Sequence, residues 1–124
     1  VTSVDVIDAL WEQIEPFAFL TREQFVSGLA CWDIEPVVID GQLAFATLTN
    51  GPEFHFASFD TGAPITRTMI NSRLDAIIER HGFVTTRTPV EGAGRQHRLN
   101  KLLGFQVTGT SEFFVHYRRD KKCP

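Results

Sequence analysis

The chain has 124 residues, 43% of them hydrophobic, and its 12 Lys and Arg against 15 Asp and Glu leave a net charge of −3. That length suffices for one domain with a real core, predicted here as residues 1–124, and the acidic balance argues against a nucleic-acid partner. No apolar stretch approaches the ~18 residues of a membrane span, so no membrane partner is expected.

Cys31 and Cys123 lie far apart, with no spacing for a metal site or a disulfide framework. No metal is expected, and a reducing cytoplasm is the predicted location. The chain opens on Val1 rather than Met, which leaves open whether sequence precedes it. Phenylalanine is over-used, with 11 residues against one Tyr and two Trp, and the alternating runs that hold it predict core packing.

Thr2-Ser3 offers a helix N-cap; Val4, Ile7, Leu10, Trp11 and Ile14 then recur at helical spacing until Pro16 stops the helix. Thr21 with Gln24 forms a capping-box pattern for a second short helix, whose apolar face is Phe25, Val26 and Leu29. Pro36-Val37-Val38-Ile39, the turn Asp40-Gly41 and the run from Leu43 to Thr49 read as a hairpin. A second turn at Asn50-Gly51-Pro52 leads to a third strand from Glu53 to Phe59, completing an antiparallel meander.

Pro64 suits the first turn of the next helix, whose stripe of Ile70, Leu74, Ile77 and Ile78 runs until Gly82 caps it. Phe83 to Thr88 alternates as a strand parallel to the one before that helix, joined by a right-handed crossover. A short basic helix over 95–103 ends on Leu102-Leu103-Gly104, with Gly104 at the left-handed cap position. Here Leu102, Leu103 and Phe105 are expected buried, Arg95 and Arg98 exposed. Strands over about 105–109 and 112–118 close the domain.

A parallel strand-helix-strand unit leaves a crevice where the strand feeds the helix, here the segment from Phe59 to Arg67. Amides at a helix start bind phosphate; Gly62 admits close approach, Thr66 adds a hydroxyl and Arg67 a guanidinium. Pro64 supplies no N–H, and an ordinary capped turn is the alternative reading of this loop. With Phe54 and Phe56 on one face of their strand, Glu53, His55 and Ala57 occupy the other. Beside Pro52, Glu53 reads as a turn residue, and His55 as either a structural histidine or a base.

This order of elements, together with Leu103-Gly104-Phe105, resembles the GNAT superfamily of acyl-CoA N-acyltransferases across nearly the whole chain. The resemblance implies an α/β (α+β) three-layer fold: a central mixed, mostly antiparallel sheet flanked by helices, its usual first strand absent or lying before Val1. It further implies acetyl-CoA or coenzyme A as cofactor, held along Phe59, Gly62, Ala63, Ile65, Thr66 and Arg67. The family's Arg/Gln-x-x-Gly-x-Gly/Ala loop keeps one glycine, Gly62, while Pro64 and Thr66 stand where small residues fall, so the loop is a degraded one.

Acetyl transfer to a primary amine, on a small molecule or a protein, is the implied activity. A base for the amine would come from His55 or Glu91, with Glu53 a further candidate, and an oxyanion donor from an amide near Phe59 or Asp60. Asn100 occupies the position of the family's tyrosine acid, where its amide can hydrogen-bond sulfur or carbonyl without delivering a proton. His97 resembles a histidine of phage-type members, and Tyr117 reads as core or rim. The alternative is a non-catalytic GNAT-like interaction module, such as a phage virion component.

Overall fold

A computed structural model describes residues 3–17, 20–59, 62 and 64–122. The elements in chain order are α1 (Ser3–Ile14), a 3-10 turn (Glu15–Phe17), α2 (Arg22–Gly28), β1 (Asp33–Ile39), β2 (Gln42–Asn50), β3 (Glu53–Ser58), α3 (Arg67–His81), β4 (Phe83–Pro89), α4 (Gly94–Leu102), β5 (Gln106–Thr110) and β6 (Phe114–Asp120). One six-stranded sheet runs β1-β2-β3-β4-β6-β5. The β3–β4 pair is parallel, while β1–β2, β4–β6 and β5–β6 are antiparallel, so the sheet is mixed and mostly antiparallel, with helices flanking it. The chain divides into two compact units, Val1–Asn50 with Phe56–Ile65, and Gly51–His55 with Thr66–Pro124.

In the first unit the turn at Asp40 and Gly41 has φ 52° and 77°, the two positive values that a tight hairpin with right-twisted strands requires. β1 starts three residues before the predicted Pro36. Both hydrogen bonds of the Thr21–Gln24 capping box form, and the predicted α2 apolar face is only partly covered: Phe25 packs against Val6, Leu10 and Ala46. Ala57 and Phe59 join that cluster, and the Phe25 ring lies 5.5 Å from that of Trp11. Four consecutive residues of β2, Ala44 to Thr47, are buried, as in a strand covered on both faces.

In the second unit α3 lies against β4, with Ile70, Leu74 and Ile78 buried at four-residue spacing. Its start differs from the expectation. Thr66 is the N-cap, extended at φ −104° and ψ 157°, and its hydroxyl accepts the Met69 N–H. The helix therefore begins at Arg67, and Pro64 lies outside its first turn. Gly82 ends α3 at φ 86°.

Helix α4 closes in a Schellman arrangement: Gly104, at φ 88°, donates to the Lys101 carbonyl, and Phe105 N–H donates to Asn100 O. Leu103 and Phe105 are buried and Arg95 and Arg98 exposed, as expected. Leu102 is 64% exposed, against expectation. Adjacent helical residues lie about 100° apart, so the two leucines cannot share one face.

The helix-covered face of this unit carries Val84, Thr86 and Thr88 from β4 with Tyr117 from β6, all buried. Their neighbours Phe83, Thr85 and Arg87, and Phe114, His116 and Arg118, project to the opposite face. Two of the chain's phenylalanines serve there as platforms for cations: Arg87 stands over Phe114 and Arg118 over Phe83.

Candidate active site

The parallel contact of β3 and β4 is the register pair Glu53↔Thr85, with Thr85 N–H donating to the Pro52 carbonyl. Glu53 is thus the first residue of β3 rather than part of the turn, and its carboxylate is aimed along the strand. Its Oε2 lies 2.5 Å from His55 Nε2 and 3.4 Å from Arg87 Nε. Both partners follow from period-two geometry, His55 two residues along β3 and Arg87 two along β4 from the register pair.

About a third of the Glu53 and His55 side chains is exposed, enough for a ligand to reach them. A carboxylate bonded to one ring nitrogen fixes the orientation of the imidazole, the setting of a general base. Next to this triad lies a cleft of about 460 Å³, lined by Glu53, Thr85, Arg87, Thr108 and His116 among others.

The remaining sequence candidates disperse. Glu91 is exposed in the loop before α4, with no hydrogen bond or ion pair among the described residues. Asn100 is buried on the helix-covered face, where Nδ2 donates to Thr88 Oγ1 at 2.8 Å and Oδ1 accepts from Gln96 Nε2 at 3.2 Å. Both ends of that amide are engaged inside the protein.

His97, one turn earlier, bridges Tyr117 Oη at 2.6 Å and the Pro89 carbonyl at 2.8 Å. A carbonyl only accepts, so Nε2 carries the proton and Nδ1 accepts from the tyrosine. Tyr117 is accordingly a core residue, 3% exposed.

Among the proposed cofactor residues, Phe59 is packed in the first unit and its N–H donates to Ala44 O, which engages the amide considered as an oxyanion donor. Gly62 has φ 73°, a left-handed geometry that disfavours any Cβ. Ile65 is half-buried, Thr66 caps α3, and Arg67 is exposed at its first position. Ala63 and Asp60 lie outside the described residues. The Thr66 hydroxyl satisfies Met69, which leaves the Arg67 and Thr68 amides as first-turn donors of a 15-residue helix.

Sequence reasoning overlooked Arg87 and discounted Glu53. The available signal was a lone charge within a β-branched strand, Val84-Thr85-Thr86-Arg87-Thr88, which calls for an oppositely charged neighbour on the same face.

The sequence matches no family model and no curated protein. Solved structures do resemble it. A Bacillus subtilis acetyltransferase in complex with CoA superposes with TM-score 0.70 at 11% identity, covering 98% of this chain and 95% of that one. The N-acetyltransferase PseH of Campylobacter jejuni in complex with acetyl coenzyme A gives 0.70 at 11% identity, over 98% and 94%. Escherichia coli ribosomal-protein-S18-alanine N-acetyltransferase gives 0.68 at 15%, over 97% and 90%. The fold is that of the GNAT acetyltransferases.

Proposed function

We propose that this protein is an acyl-CoA-dependent N-acyltransferase that transfers an acetyl group to a primary amine. The observation that carries the reading is the Glu53–His55 pair, which puts a carboxylate-oriented imidazole on β3 in a chain with the GNAT fold. Acetyl-CoA would bring the activated acyl group as a thioester. Its pyrophosphate fits the Arg67 and Thr68 amides and the Arg67 guanidinium at the start of α3, where the helix dipole favours anions. Pro64, outside the helix, removes none of the helical donors.

In the transfer, one ammonium proton passes to His55 while Glu53 balances the charge; the freed amine nitrogen then bonds to the acyl carbon, the carbon–sulfur bond breaks, and the nitrogen's second proton passes through water to the leaving thiolate. Asn100, tied to Thr88 and Gln96, supports α4 and supplies no proton to the leaving thiolate, whose proton comes from the acylated nitrogen.

That missing acid also favours the second reading, a GNAT-like interaction module without catalysis, as in a virion component. Calorimetric titration with acetyl-CoA and desulfo-CoA separates the two. Binding of either with acetyl transfer to an amine panel supports the enzyme, and absence of binding by folded protein leaves the module.

A further inference from the structure

The cleft beside β3 and β4 contains more chemistry than deprotonation of an amine requires. The Arg87 guanidinium is held at two places: Nε lies 3.4 Å from Glu53 Oε2, and its carbon sits 5.1 Å from the centre of the Phe114 ring. The contact to Glu53 is made through Nε, and no hydrogen bond from the Nη groups is found among the described residues. Arg87 is 46% exposed and lines the cleft of about 460 Å³, so a fixed, planar fork of donors faces a space large enough for a small molecule. Such a fork matches a carboxylate through two parallel bonds.

Charge balance narrows the ligand further. The formal charges of Glu53 and Arg87 cancel, so this pair presents a dipole and not a net charge. A phosphate or other dianion would meet the Glu53 carboxylate. A plain amine would leave the Arg87 fork without a partner. A zwitterion satisfies both ends, and the close spacing of Glu53 and Arg87 calls for its two charges to be near each other.

We propose that the acceptor is an amino-acid-like zwitterion, its carboxylate held by the Arg87 fork and its amine directed to Glu53 and His55. The chemistry of transfer rests on the acyltransferase reading above, whereas binding of the acceptor does not.

The test uses the full chain without cofactor. The L-α-amino acids are titrated while the Arg87 Nε–H signal is followed by NMR, and each binder is then compared with its amide. An amino acid should bind with movement of that signal, and its amide should bind roughly 10- to 100-fold more weakly, the loss of a charge-assisted pair. Arg87→Met should erase the preference, and Arg87→Lys, which keeps the charge without the fork, should retain only part of it.

Equal binding of acid and amide, no binding of any amino acid, or a preference unchanged in folded Arg87→Met overturns the proposal. Acetyl transfer from acetyl-CoA is assayed separately. A bound amino acid that is never acetylated keeps the carboxylate site and removes the acyltransferase reading. Acetylation of amides as readily as acids does the reverse.

Discussion

Asn100 and Thr88 join α4 to β4 through a buried hydrogen bond, Nδ2 to Oγ1 at 2.8 Å, with Gln96 completing the amide at 3.2 Å. The pair sits where catalysis in the resembling family would place an acid, and here it holds the helix to the sheet. Asn100→Ala should destabilise the protein by about 1–3 kcal/mol in urea unfolding, because Thr88 loses its partner in a site closed to water. Thr88→Val added to that variant should recover part of the loss. Strict additivity of the two would mean that the bond contributes nothing.

The two leucines before Gly104 should separate cleanly. Leu103→Ala is expected to cost about 2–5 kcal/mol, since its side chain is 6% exposed. Leu102→Ala, at a position 64% exposed, should change stability by less than about 0.5 kcal/mol. Denaturant midpoints of the two variants decide it, and equal losses would place the α4 register elsewhere.

Glu53→Gln and His55→Ala should each lower the turnover number of acetyl transfer by about 10²- to 10⁴-fold, with acetyl-CoA affinity retained in calorimetry. Because the two act as one unit, the double variant should be little slower than either single one. Multiplying losses would show that they work separately.

At the start of α3, Thr66→Ala should cost about 0.5–2 kcal/mol through loss of the bond to Met69 N–H. Arg67→Ala should leave stability almost unchanged while weakening coenzyme A binding roughly tenfold or more, the contribution of a charged hydrogen bond. If Arg67→Ala binds coenzyme A as tightly as the parent, the pyrophosphate lies elsewhere.

Most of the fold was legible because it is written in local chemistry. The Thr21–Gln24 box, the Asp40-Gly41 turn and the glycines at 82 and 104 each require a conformation that neighbouring residues alone specify. The apolar spacing of Ile70, Leu74 and Ile78 likewise fixed which face of α3 is buried. What the sequence could not rank was the two leucines of α4, and at the entry of α3 it pointed to Pro64, whereas the Thr66 hydroxyl closes the cap.

The site itself was decided by tertiary structure. Glu53 and Arg87 are 34 positions apart and meet only because the β3–β4 register pairs Glu53 with Thr85, setting Arg87 one pleat beyond. The sequence also left open that β6, and not β5, inserts beside β4, which sets His116 opposite Arg87 at the edge of the cleft. Local propensity determines where strands form, since it depends on neighbours along the chain. Register and strand order depend on long-range packing, and those alone brought the ionisable groups together.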